Sequence, residues 1–250
     1  MFWAVTFRER DPIVRINSPQ WQELLLRQAD DAGIDIAASA IDRIIAFVSE
    51  LLAWNEKTNL TAITNPAEVA EKHIIDSLIP AKFIPENASV LDIGTGGGFS
   101  GIPLKILMPS LSVCLVDSAR KKISFLKYEI RLLTLEKISA HQFRVEELSK
   151  HPDFAGCFDV VISRAFASLE KFLVSALPLI KSDGMIIAMK GRDVQKEIDE
   201  IPIAETETDI YQIGSWKIKL RVEKYRLPVS GDERALVMVR LQGEKGPDLE

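Results

Sequence analysis

Apolar positions recur at a helical period over the first third of the chain and as short strand-like runs after it. From Trp21 the residues Trp21, Leu24, Leu25 and Gln28 share one face, and Gly33 ends the segment. A second helix is expected from Ala37 to Asn55, with one apolar stripe of Ile41, Ile44, Ile45, Val48, Leu51 and Leu52 that reads as a packing face. A polar connection through Trp54 and Leu60 reaches the turn signal Asn65-Pro66. A third helix then runs from Pro66 to about Ile79, with Asn65 as candidate cap and Val69, His73, Ile74 and Leu78 on one side.

From Ala88 the pattern alternates. Strands are expected at Val90–Ile93, Ser112–Val116, Lys137–Ala140, Phe158–Ile162 and Met185–Met189. Helices are expected from Ile102 to Pro109, after Asp117 with Ile123, Leu126, Ile130 and Leu133 inward, from Leu169 to Ile180, and from Arg192 to Ile201. The stretch Tyr211–Leu241 alternates as an antiparallel pair, Trp216–Leu227 and Arg234–Leu241, around a turn at 228–232. Strand–helix alternation implies an α/β chain with a Rossmann-like, doubly wound parallel sheet. Here the sheet gains a final antiparallel strand pair and follows an N-terminal helical segment. The expected organisation is an extension over 1–19 carrying Arg8, Arg10 and Arg15, a helical segment over 20–87, the α/β domain over 88–242 and a polar tail over 243–250.

Composition narrows this only a little. The net charge of −5 does not advertise nucleic-acid binding by the chain as a whole, so an RNA partner would need a focused basic patch. Lys57, Lys72, Arg120, Lys121, Arg192 and Arg234 are the candidates, and Lys122, Lys127 and Arg131 decorate the same predicted helix as Arg120. The two cysteines, Cys114 and Cys157, make neither a disulfide framework nor a metal site. No metal is expected. No apolar run has membrane-spanning length and no secretory signal is visible, so a cytoplasmic monomer without membrane contact is the expectation.

The chemistry sits in Val90-Leu-Asp-Ile-Gly-Thr-Gly-Gly-Gly-Phe-Ser-Gly-Ile-Pro103, a strand, a glycine loop and a helix start. Glycine permits tight turns and close backbone approach to a ligand, and such loops bind nucleotides. Two readings fit. Gly96-x-Gly98-x-x-Gly101, with Asp117 after the second strand, matches the dinucleotide fingerprint. Asp92-x-Gly94-x-Gly96 matches the first motif of S-adenosyl-L-methionine (SAM) methyltransferases. An acid at 92 would help hold a methionine ammonium but would repel a pyrophosphate, which favours SAM. In both readings Asp117 would accept hydrogen bonds from ribose hydroxyls.

Asn59-Leu-Thr, His73-Ile-Ile-Asp-Ser-Leu78, the glycine loop, Leu115-Val-Asp-Ser118, Arg144-Val-Glu-Glu147, Ser163-Arg-Ala-Phe-Ala-Ser168, Lys190-Gly191 and Glu233-Arg234 together resemble the RsmG (GidB) family. These are bacterial methyltransferases acting on N7 of a guanine in small-subunit (16S) ribosomal RNA. The resemblance spans Trp21 to Leu241. It implies the SAM-methyltransferase fold, SAM as cofactor, and small-subunit ribosomal RNA or the 30S particle as partner. Gly94 and Phe99 would line the SAM pocket beside Asp92 and Gly96. Val145 and Glu146 would hold the adenine end, Asp117 the ribose, and Arg164 would also reach the cofactor. Asn59, Arg144, Arg164 and Arg234 match positions linked to RNA binding or catalysis. His73 matches the family's helix, but from spacing alone it reads first as a structural residue. In one departure, the family often has proline where Gly97 stands and Leu-Pro where Phe99-Ser100 stand, which suggests a slightly looser loop here.

Guanine N7 already carries a lone pair, so its methylation needs alignment more than proton removal. The sequence after the fourth strand agrees. It carries neither the Asn/Asp-Pro-Pro-Tyr/Phe motif of amino methylation nor a cysteine for covalent attack, but Ser163-Arg164. An arginine fork can donate to guanine O6. The plainer roles are a salt bridge from Arg164 to an acid such as Asp92 or Glu146, and a local pair of Arg144 with Glu147. The competing functions are a SAM-dependent small-molecule methyltransferase, a non-catalytic nucleotide-binding module and an NAD-type oxidoreductase.

Overall fold

A computed structural model describes residues 15–164, 166, 168–205 and 209–242. Residues 1–14 of the expected extension, with Arg8 and Arg10, and the tail 243–250 lie outside the described residues. Five parallel strands, β1 (Ser89–Ile93), β2 (Ser112–Asp117), β3 (Ile138–Gln142), β4 (Phe158–Arg164) and β5 (Ile180–Gly191), continue into four antiparallel ones, β6 (Ile203–Glu205), β7 (Ile210–Ile213), β8 (Trp216–Arg226) and β9 (Glu233–Leu241). The order across the sheet is β3-β2-β1-β4-β5-β9-β8-β7-β6. The strand order reverses between β1 and β4, and a sheet of this kind opens its ligand crevice at the carboxyl ends of such a pair.

The antiparallel part is therefore a four-stranded meander, larger than the pair expected from sequence. The two added strands are three and four residues long, too short for alternation to stand out. A second difference concerns the stretch from Leu169. Helix α8 (Leu169–Ala176) stops early, a 3-10 turn (Leu177–Leu179) containing Pro178 follows, and Ile180 already pairs with Phe158 in the sheet. Gly184 then lies inside β5, where a Cβ would come within 3.0 Å of Ile180, Lys181 O and Phe158 O.

Helix α1 (Pro19–Asp31) is capped by Ser18, whose Oγ accepts from Trp21 N. The buried Trp21 donates its indole N–H to Pro66 O. Helix α2 (Ala38–Thr58) buries Ile41, Ile44, Phe47, Val48 and Leu51, and ends at Asn59 in the left-handed conformation (φ 51°). The third expected helix is composite. The short α3 (Pro66–Glu68), capped by Asn65, passes into a π-helix (Val69–Ile75), then α4 (Asp76–Leu78) and a 3-10 turn (Ile79–Phe83). Widened helical turns of this kind are frequent at functional sites.

These helices, with α5 (Gly101–Leu107) and α6 (Arg120–Leu132), cover one face of the sheet in a single core that includes Val90, Leu115, Ile162 and Ile187. The short α7 (Val145–Leu148), α8 and α9 (Val194–Asp199) cover the other face, over Leu91, Ile93, Val161 and Ile186. Strand alternation decides what happens to Asp92: it must point to the same side as Val90, beneath the N-terminal helices.

Candidate active site

The turn after β1 is held by two carboxylates. The amides of Gly94 and Thr95 donate to Val116 O at 2.9 and 3.1 Å. Gly96 N donates to Asp117 Oδ2 at 3.1 Å, and Gly101 N to Asp92 Oδ2 at 2.9 Å, where Thr95 Oγ1 also donates at 2.6 Å. Gly94 and Gly96 both have φ above +60°, which side-chain-bearing residues seldom adopt. A pyrophosphate cradle needs free amides directed at the ligand. Here the glycine amides named above are already bonded to protein oxygens. That departs from the expected ligand-facing donors and counts against the dinucleotide reading.

Gly101 marks the tightest approach. A Cβ there would lie 2.2 Å from Leu115 Cδ2 and 3.2 Å from Asp92 Oδ2. Gly101→Val should therefore lower stability by about 1–3 kcal/mol or more through overpacking. Urea unfolding checks this, and an unchanged midpoint would mean that the helix start yields without strain.

Two cavities meet at Gly94. The first, of about 490 Å³, is lined by Lys72, His73, Asp76, Asp92, Gly94, Gly96, Phe99, Arg164, Lys190, Tyr225 and Arg234, among others. The second, of about 740 Å³, is lined by Gly94, Asp117, Lys122, Phe143, Arg144, Val145, Glu146 and Phe166, among others. The structure thus divides the residues singled out in the sequence. Asp92, Gly96, Phe99, Arg164 and Arg234 surround one space, and Asp117, Arg144, Val145 and Glu146 the other, with Gly94 common to both. Arg144 is exposed and lies on the Asp117 side, away from Arg164 and Arg234. Its backbone N–H, rather than its guanidinium, pairs with the Glu147 carboxylate at 3.2 Å. Asn59 is exposed and lines neither cavity.

Asp92 is fully buried, and its Oδ1 has no hydrogen-bond partner. Burial is the main cause that raises its pKa to about 6, against the opposing bonds from Thr95 and Gly101. Asp117 accepts from Gly96 N, Ala119 N and Lys122 Nζ, so its two oxygens hold the second-strand turn together.

Arg164 does form a salt bridge to an acid, but the acid is Asp76 rather than Asp92 or Glu146. Its NH1 donates to Lys72 O at 2.8 Å and Ser77 Oγ at 3.2 Å, and lies 3.7 Å from Asp76 Oδ2. The guanidinium also sits 5.1 Å from the Phe99 ring centroid. His73 stacks on the same ring at 4.2 Å, with Nε2 2.7 Å from Thr61 Oγ1. Burial and the Arg164 charge push the His73 pKa down to about 3, so its imidazole is neutral.

Asp76 and Tyr225 are the site residues that sequence reasoning missed. The Tyr225 hydroxyl donates to Asp76 Oδ1 at 2.6 Å, and Tyr225 is the cross-strand neighbour of Arg234. Asp76 lies inside the His73–Leu78 segment, and an acid next to Ile74, Ile75 and Leu78 was the available signal. Tyr225 could not be found without the β8–β9 register. Glu71, on the π-helix, accepts from Val229 N and Ser230 N at 2.6 and 2.8 Å and so fastens the β8–β9 turn to that helix.

A family profile described as "GidB: rRNA small subunit methyltransferase G" matches residues 40–218. A "Ribosomal RNA small subunit methyltransferase G" from Geobacter sp. (strain M21) is 41% identical over 218 residues, covering 87% of this chain and 96% of its own. One of the same name from Desulfitobacterium hafniense (strain Y51) is 36% identical over 230 residues, covering 92% and 93%. Among solved structures, the O-methyltransferase from Bacillus cereus matches with a TM-score of 0.55 at 16% identity, covering 90% of this chain and 100% of that one. A SAM dependent methyltransferase from Aquifex aeolicus matches with a TM-score of 0.51 at 15% identity, covering 73% and 97%. At those identities the structures support the shared fold alone. The full-length relatives and the profile go further: this chain belongs to the GidB family, rRNA small subunit methyltransferase G.

Proposed function

We propose that this protein transfers a methyl group from SAM to N7 of one guanine in small-subunit (16S) ribosomal RNA. The observation that carries the SAM part is Asp92: one carboxylate oxygen ties down the loop, and the other is buried without a partner at the wall of the first cavity. A buried carboxylate oxygen calls for a donor, and a cationic ammonium would serve as one. The residues present therefore fit the cofactor. Asp92 would hold its ammonium, and Asp117, Val145 and Glu146 its adenosine in the second cavity. Gly94 stands between them, with nothing within 4 Å of where a Cβ would be. SAM, when bound, supplies an electrophilic methyl on a sulfonium centre.

The chain's own contribution is orientation. Arg164 uses NH1 on Lys72 and Ser77, which leaves Nε and NH2 for guanine O6. Tyr225 and Arg234 wall the same space. No residue has to remove a proton, which agrees with a neutral His73 of low basicity. In this reading residues 20–87 roof the site and residues 88–242 form the transferase domain. Asn59 and Arg144 would meet RNA outside the first cavity. The protein would work as a cytoplasmic monomer on the RNA or the 30S particle.

The test is transfer from labelled SAM to small-subunit RNA and to particles from a strain lacking its own enzyme, followed by nucleoside analysis. Label in 7-methylguanosine at a single site is expected. SAM binding without label in either substrate would overturn the RNA assignment and favour a small-molecule acceptor.

A further inference from the structure

We infer that the RNA strand leaves the guanine cavity over the rim of the β8–β9 hairpin, where Arg192, Lys224 and Arg226 hold its phosphodiester groups. This rests on the RNA reading above. A third cavity of about 580 Å³ is lined by Arg192, Lys224, Tyr225, Arg226, Glu233, Arg234 and Ala235. It shares Tyr225 and Arg234 with the first cavity, so the two spaces adjoin across those two side chains.

The strand register explains how the groove forms. Tyr225 pairs with Arg234, whereas Lys224 pairs with Ala235 and Arg226 with Glu233. Neighbouring positions on a strand point to opposite faces. Tyr225 and Arg234 therefore share one face, and Lys224 and Arg226 the other. Strand β5 ends at Gly191, and Arg192 follows it at the same edge. A base held against Tyr225 and Arg234 leaves its sugar-phosphate at this rim, and the flanking backbone passes to the far face.

The charge of the groove suits that backbone. Four cations line it against one carboxylate, in a chain whose net charge is −5. Arg226 pairs with Glu233, and Arg192 lies 3.9 Å from Asp193, but the two arginine side chains are 72% and 73% exposed. Pairs that exposed are weak, and a phosphate can displace them. Lys224 has no ion pair among the described residues. The basic face of α6 offers no such route. Arg120, Lys121, Lys127 and Arg131 are exposed there, yet none of them lines any of the three cavities.

The experiment compares the full-length chain with two triple variants, Arg192→Ala/Lys224→Ala/Arg226→Ala in the groove and Lys121→Ala/Lys127→Ala/Arg131→Ala on α6. Filter binding to a small-subunit RNA fragment is read across a salt series, beside SAM affinity, melting temperature and methyl transfer. Losing three phosphate contacts should flatten the slope of log affinity against log salt by about 2, and should weaken RNA binding on the order of tenfold at moderate salt. The groove variant should show this with unchanged SAM affinity and melting temperature, and the α6 variant should behave as wild type. A groove variant with wild-type affinity and slope, while the parent protein methylates RNA normally, would overturn the groove alone. A drop confined to the α6 variant would move the path to that helix. A parent protein that neither binds nor methylates the RNA would remove the functional reading and the groove with it, and inhibition by inorganic phosphate alone would mark a free-anion site instead.

Discussion

Arg164→Ala should lose methyl transfer and much of its stability, and Asp76→Asn should restore part of the second loss but not the first. Arg164 lies at the carboxyl end of β4 and reaches across to the π-helix and α4, where it meets Lys72 O, Ser77 Oγ and Asp76. The side chains of Arg164 and Asp76 are 18% and 8% exposed. Removing the cation leaves a carboxylate in a poorly solvated site, to which, among the described residues, Tyr225 alone still donates. Burial already pushes the Asp76 pKa upward, opposed chiefly by Arg164. Breaking a buried pair in this way costs about 3–5 kcal/mol. The double variant removes the stranded charge, so it should recover a large share of that loss. Arg164→Lys should not substitute, because an ammonium cannot bond the helix and a base at once in fixed geometry. Urea unfolding and methyl-transfer rates measured side by side separate the two effects. Wild-type stability and turnover in Arg164→Ala would remove the residue from both roles.

Asp92→Ala should bring SAM affinity below detection, and the wild-type protein should show the reason in its pH dependence. The Asp92 carboxyl has a pKa of about 6, raised chiefly by burial. Affinity for a cationic ammonium should then fall as pH drops below 6, approaching tenfold per unit. Asp92→Asn keeps the size of the side chain but not the charge, and should bind weakly without this pH dependence. The effect on the unliganded protein has the opposite sign. A raised folded-state pKa means that the protonated carboxyl is favoured in the fold. That contribution is complete below the ordinary carboxylate value of 3.8 and disappears as pH rises through 6. Raising pH from 5 to 7 should therefore lower the melting temperature of the free protein while increasing the shift produced by ligand. Calorimetric titration and melting curves with and without S-adenosylhomocysteine measure both. A pH-independent affinity in wild type would exclude Asp92 as the ammonium's partner.

What the sequence revealed depended on how local the signal was. The strand-turn-helix around Asp92 could be read because its apolar run, glycines and Pro103 all act within a few residues. The two-cavity division could not, because it depends on which strands are neighbours: β4 beside β1 brings Arg164 near Asp92, while β2 beside β1 brings Asp117 to the other side of Gly94. The π-helix escaped notice because its sequence keeps an ordinary helical apolar spacing at Val69, His73 and Ile74. The end of α8 was misplaced because Leu177-Pro-Leu179 continues an apolar run that helix and strand tolerate equally. Asp76 and Tyr225, separated by 149 positions, meet through tertiary packing alone.

Gly97 and Phe99 carry a consequence for how this loop can change over generations. Gly97 has no left-handed backbone to explain it. What it provides is space, since a Cβ would lie 2.9 Å from Phe99 Cζ and 3.0 Å from Leu51 Cδ1. Phe99 in turn is held by its contacts with His73 and Arg164. The two positions therefore cannot drift independently. A lineage that begins with this pair must shrink Phe99 before Gly97 can gain a side chain, and a lineage going the other way must empty position 97 before a phenyl ring can settle at 99. In either direction the path runs through the pair of small residues, and a side chain at 97 beside a phenyl ring at 99 is the combination the packing disfavours.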